Sequence, residues 1–161
     1  MISIHPMMAH FPIALLFAAL ALDGAGLALK KDRLRQAALP VLALAVLGGI
    51  VAAITGDMAH DAISKMTAEL NELIETHQDF AFATLAAAVV AVALRIWAEY
   101  KKAIQGLWGY MSFVALLIAA ILVGITGYFG GEIVFKYGAG TSLYEKANPN
   151  TIKHSENQIQ R

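Results

Sequence analysis

The stretch FPIALLFAALALDGAGLALKKDRLRQ, residues 11–36, decides how the chain is read. Nineteen residues from Phe11 to Leu29 carry one charge, Asp23, and then four basic residues fall within six positions: Lys30, Lys31, Arg33 and Arg35. An apolar run of about 20 residues is what an α-helix needs to cross a bilayer. A short basic turn behind it is what keeps a loop on the cytoplasmic side. A second apolar run follows at once, so the passage reads as a membrane hairpin with its turn inside the cell.

Working outward, the same grammar repeats. The spans are read at about 11–29, 37–56, 77–98 and 107–129, which predicts an all-α bundle of four transmembrane helices within residues 1–137. The third connection is basic, with Arg95, Lys101 and Lys102 near it, whereas the second, at 57–76, is acidic, with Asp57, Asp61, Glu69, Glu72 and Glu75 against Lys65. Both termini and a helical 57–76 loop are therefore expected on the periplasmic side, with a polar periplasmic tail at 138–161. No basic residue precedes the first span and no cleavage-like site closes it, so it is not read as a signal peptide.

Composition narrows the function. Of 161 residues, 58 % are hydrophobic and 15 % charged, and the formal net charge is zero. Such a balance gives no electrostatic footprint for nucleic acid. Cysteine is absent, which excludes disulfides, cysteine-ligated iron–sulfur clusters, thioether-attached haem and a thiol nucleophile. Metal chemistry has to rest on His, Met, Asp or Glu. No nucleophile–base pair or nucleotide-binding motif is visible, so an electron-transfer protein or subunit is favoured over a self-contained enzyme.

All five histidines, at 5, 10, 60, 77 and 154, fall on the expected outer side. At a rise of about 1.5 Å per residue, His10 lies roughly 28 Å from Leu29 and His77 roughly 27 Å from Arg95, so the two imidazoles are expected at similar depth. His77 also continues an apolar three-and-four register through Leu70, Leu73 and Ile74 and on to Ala81 and Thr84. Two further segments match: AAITGDMAH at 52–60 and VGITGYFGG at 123–131 both carry Ile-Thr-Gly. Each half then reads as one hairpin, with a His opening one helix and Ile-Thr-Gly closing the next. Two such hairpins would be related by a pseudo-twofold axis along the membrane normal.

Imidazoles facing each other across a four-helix bundle can take both axial positions of a b-type haem. The expected ligands are His10 and His77, with Gly49, Thr55, Gly124, Thr126 and Gly127 lining the pocket. His5 and His60 are candidates for a second haem or for an alternative site holding copper, zinc or iron; Met7, Met8 and Met58 lie close to them in sequence. The expected function is single-electron transfer near the periplasmic face within a respiratory or redox complex. The expected partners are the lipid bilayer, a quinone or periplasmic electron carrier, and a larger complex or homodimer. The alternatives are a non-haem metal-binding membrane protein and a cofactor-free structural subunit. Asp23 and Arg95 stand at similar depth and are expected to form an ion pair. Trp97, Tyr100, Trp108 and Tyr110 read as an interfacial aromatic belt.

These residues resemble the bacterial membrane-protein family called domain of unknown function 2231. The family pattern His-Pro-x-x-x-His-Phe-Pro-Ile is matched by HPMMAHFPI at 5–13, the Thr-Gly ending the second helix by Thr55-Gly56, and the His opening the third by His77. The closing motif is matched by TGYFGGEIVFKYGAG at 126–140, with Tyr137 where the pattern has His. The resemblance covers about Ile4 to Gly140. It implies a four-span protein of the bacterial inner membrane, and relatives fused to Rieske iron–sulfur domains imply a redox setting.

Overall fold

The computed structural model describes residues 5–61 and 67–138. Four helices make up the architecture: α1 (His5–Ala28), α2 (Asp32–Asp61), α3 (Ala68–Tyr100) and α4 (Leu107–Tyr137). There is no strand among the described residues. All four are long and apolar enough to cross a membrane. Even α1, with 24 residues, is roughly 36 Å long, against about 30 Å of hydrocarbon. The chain pairs α1 tightly with α2 and α3 with α4, and the two hairpins meet through α2–α3 and α1–α4.

The helices extend past the apolar runs at the histidine end. α1 includes both its prolines. Pro6 sits in the first turn, where a missing N–H costs nothing. Pro12 lies inside α1, as Pro40 does inside α2, a placement that membrane helices accommodate. α3 runs without a break from Ala68 through His77 to Tyr100. Its start is capped by Thr67, whose hydroxyl accepts from the Leu70 N–H at 3.2 Å.

The two hairpins share one register. Buried Leu16, Ala19, Asp23 and Gly26 of α1 correspond, 72 positions on, to buried Ala88, Ala91, Arg95 and Ala98 of α3. Their turns correspond too. Lys30 and Lys102 are the only non-glycine residues with positive φ, at 52° each, among the described residues. Each turn closes its helix with the same pair of bonds: Lys31 N–H to Gly26 O and Lys30 N–H to Leu27 O in one, Ala103 N–H to Ala98 O and Lys102 N–H to Glu99 O in the other. This is the Schellman pattern, here with Lys at the left-handed position that glycine usually takes. Gln105 joins the turns by donating to Asp32 at 2.8 Å.

The core is made of small side chains: Ala19, Ala45, Ala88, Ala91, Ala119 and Ala120 around Leu16, Leu42 and Leu116. Large ones such as Phe17, Leu47, Val90, Ile96 and Ile121 face outward. Small residues inside let helix backbones approach closely, and large apolar ones outside meet lipid.

At the basic end the four helices are tied by charge. Asp23, fully buried, accepts from Arg35 Nε at 2.8 Å and from Arg95 Nη2. Arg35 also donates to the carbonyls of Ile104 and, at 2.7 Å, Gly109. The expected Asp23–Arg95 pair is present. Arg35, read in sequence as part of the cytoplasmic turn, is instead buried at its centre. Trp97, Tyr100 and Trp108 cluster on the outside of this end, with the Lys101 amine 4.9 Å from the Trp97 ring. Exposed Glu69, Glu72, Glu75 and Asp79 mark the opposite, histidine end.

Candidate functional site

Register places His5 and His77, again 72 residues apart, at the same end of the two hairpins. Their rings meet there, with centroids 6.4 Å apart and planes at 88°. Each ring is held by the last helix of its own hairpin. His5 Nδ1 lies 3.3 Å from Thr55 Oγ1 of α2, and His77 Nδ1 lies 2.9 Å from the Thr126 carbonyl of α4. The sequence separations of these contacts, 50 and 49 residues, are nearly equal.

Glycine permits both approaches. A Cβ on Gly56 would stand 3.0 Å from His5 Cε1, and one on Gly130 would stand 3.1 Å from His77 Cε1. Thr126 is steadied from below: its hydroxyl donates to Leu122 O at 2.9 Å and lies 3.4 Å from the Thr84 hydroxyl. Phe80 and Phe129 stack at 5.5 Å on the same two helices.

The carbonyl contact fixes the His77 tautomer. A carbonyl can only accept, so His77 carries its proton on Nδ1 and donates it to Thr126 O. The Thr55 hydroxyl has Val51 O at 3.0 Å and Ala52 O at 3.1 Å as acceptors for its proton. Its lone pairs are then left for a His5 Nδ1–H. His77 therefore keeps a lone pair on Nε2, as when a backbone carbonyl orients a metal-binding histidine, and His5 does the same in the tautomer that donates to Thr55. Burial pushes the His5 pKa below the usual histidine value, against a smaller raising effect of the Ala52 carbonyl, so the ring favours the neutral, ligating form.

The expected site residues are distributed as follows. His77, Thr55 and Thr126 come together with His5, the residue assigned in sequence to the second or alternative site. His10 lies on an exposed face of α1, five positions past His5 and so rotated from it by roughly 140°. His60 falls in the last turn of α2, and its side chain lies outside the described residues, as do His154 and the tail from 139 onward. Gly49 faces Leu85, and a Cβ on Gly124 or Gly127 would meet nothing within 4 Å, so these two lie on an open face of α4. Tyr137 ends α4, with the Lys136 amine 5.1 Å from its ring. Gly130, one of the small residues on the fourth helix expected to give a macrocycle room, is at the site, whereas Gly56 and Thr84 are additions that the sequence reading did not place there. Gly56 was legible as the glycine of the Ile-Thr-Gly repeat. Among the described residues, no three His, Asp or Glu side chains converge to hold a metal ion.

Four spanning helices in two hairpins, with one imidazole from each meeting at a common mouth, define an integral membrane protein with a paired-histidine site. The chain belongs to the DUF2231 family of predicted membrane proteins, which matches residues 1–143. No curated protein and no solved structure matches it.

Proposed function

We propose that this protein holds the iron of a b-type haem between His5 and His77 and passes single electrons at that end of the bundle. The 6.4 Å separation of the two rings carries this reading. Two imidazoles sharing one metal at about 2.0 Å each have ring centres roughly 6 Å apart once the ring radii are added. An Nε2 lone pair is available on His77, and on His5 in the tautomer that donates to Thr55. The two ligands come from different hairpins, so the macrocycle would enter the seam between hairpins, where packing is sparser than within either one. The haem supplies reversible one-electron chemistry. The chain's own residues orient the ligands through Thr55 and Thr126, and Gly56 and Gly130 leave room for the rings.

In this reading the basic turns face the cytoplasm of a bacterial inner membrane and the histidine end faces the periplasm. The electron partners are a membrane quinol, a periplasmic carrier or a neighbouring subunit of a redox complex. The test is the absorption spectrum of detergent-purified protein, oxidised and then dithionite-reduced, with haem quantified. A sharp reduced α-band with near-stoichiometric haem is expected. A featureless spectrum from folded protein, made with ample haem, rejects the reading.

The second reading is a bare Cu(I) ion on the same two imidazoles. Met8, three residues past His5 and so near its face of α1, favours it, because soft thioethers suit Cu(I). Elemental analysis of the same preparation separates the two: copper without haem supports the second reading, iron with haem the first.

A further inference from the structure

The charged network at the basic end has two loose ends. Arg95 Nη1 and Glu99 Oε1 are both buried and have no hydrogen-bond partner. Arg95 itself is 2 % exposed. The two residues are one helical turn apart on α3, so their side chains share a face. Yet neither atom bonds the other. A buried guanidinium N–H and a buried carboxylate oxygen each lose free energy when unsatisfied.

The formal charges point the same way. Asp23 lies between two guanidinium groups, Arg35 and Arg95. That trio leaves one positive charge in the bundle, and the Glu99 carboxylate cancels it. A small group that accepts from the Arg95 N–H and donates to the Glu99 oxygen would satisfy both atoms.

We infer that an ordered water molecule bridges Arg95 Nη1 and Glu99 Oε1, completing a neutral network that runs Arg35–Asp23–Arg95–water–Glu99. Water is the smallest ligand with both functions, and two polar partners meet the lower limit for a buried water. The network then links α1, α2 and α3 directly, and reaches α4 and the turn before it through the Gly109 and Ile104 carbonyls that Arg35 holds. This site lies at the opposite end from the imidazole pair and is independent of the haem reading.

Two experiments on the full chain test it. A crystal or cryo-EM map that resolves ordered solvent is expected to show a peak within hydrogen-bond distance of both atoms. A direct Arg95–Glu99 ion pair, or empty space between them, overturns the inference. Thermal unfolding in detergent gives the second test. Glu99→Gln keeps an acceptor for the water and is expected to lower Tm much less than Glu99→Met. In an Arg95→Met background the Glu99→Met loss should largely vanish. An equal loss in both backgrounds shows that the two residues are not coupled and overturns the bridge.

Discussion

At the scale of the residue, ligand geometry depends on atoms that are not there. The imidazoles of His5 and His77 lie against the bare Cα positions of Gly56 and Gly130. Gly130→Ala would put a methyl group 3.1 Å from His77 Cε1, tighter than a side chain tolerates without moving. The expected outcome is a folded protein with reduced haem retention or a shifted Soret band, read by absorption; an unchanged spectrum would separate Gly130 from ligation. Protonation acts at the same scale. Burial lowers the His5 pKa in the fold, while the unfolded chain titrates near the ordinary value of about 6.5. The folded state then binds fewer protons, so stability is retained above that value and lost as pH falls below it toward the folded pKa. Unfolding of the haem-free protein followed against pH should show this loss, and His5→Gln should flatten it.

The same scale shows what the sequence could and could not convey. His77 was legible, because it continues the apolar register of its own helix. The partner was harder to choose. The apolar run begins at Phe11, which put His10 at the mouth of the first helix. In the structure the helix starts at His5, because Pro6 needs no N–H in a first turn and Pro12 is accommodated inside the span. A start six residues earlier brings His5, not His10, onto the ring of His77. The nearly equal spacings to Thr55 and Thr126 were in the sequence and favour His5.

At the scale of the element, close backbone approach demands glycine at Gly26 and Gly109. Gly26 abuts the Cγ and backbone of Arg35, and Gly109 abuts the Ile104 carbonyl. A methyl group at Gly109 would overlap that backbone oxygen, which a rotamer change cannot relieve. Gly109→Ala should destabilise by about 1–3 kcal/mol through overpacking, measured by thermal or denaturant unfolding in detergent. Gly124→Ala, with nothing near its Cβ position, is the control and should be close to neutral. Sequence periodicity could not separate these two glycines, because α4 carries small residues on more than one face. Arg35 was misread for a related reason. A basic residue a few positions past a turn looks like topology signal, and only the packed helices reveal that it points inward to Asp23.

At the scale of the whole molecule, the bundle is held by charge at one end and carries its candidate chemistry at the other. Asp23→Asn leaves Arg35 and Arg95 buried side by side without their shared carboxylate. Breaking such a pair costs about 3–5 kcal/mol, so the variant should lose most of its folded yield or show a large fall in Tm. Orientation can be tested directly because the chain has no cysteine. A single cysteine replacing exposed Asp57 should react with an impermeant maleimide from the periplasmic side of intact cells, and one replacing Lys102 should react only after lysis. The reverse pattern would invert the assignment of the basic turns. The four spans and their pairing into hairpins were plain in the sequence, since apolar length and basic turns are local signals. The shared register of the hairpins was only faintly visible there as Ile-Thr-Gly. It emerges from buried positions and turn bonds, which composition does not record.

The central claim is that His5 and His77 together hold a haem. The most direct measurement is the dithionite-reduced spectrum and haem content of wild-type protein beside His5→Ala, His77→Ala and His10→Ala, each purified folded from cells supplied with haem. A six-coordinate b-type spectrum is expected in wild type and His10→Ala, with its loss in His5→Ala and in His77→Ala. A spectrum that survives in either of those two variants, or that disappears in His10→Ala alone, would contradict the claim.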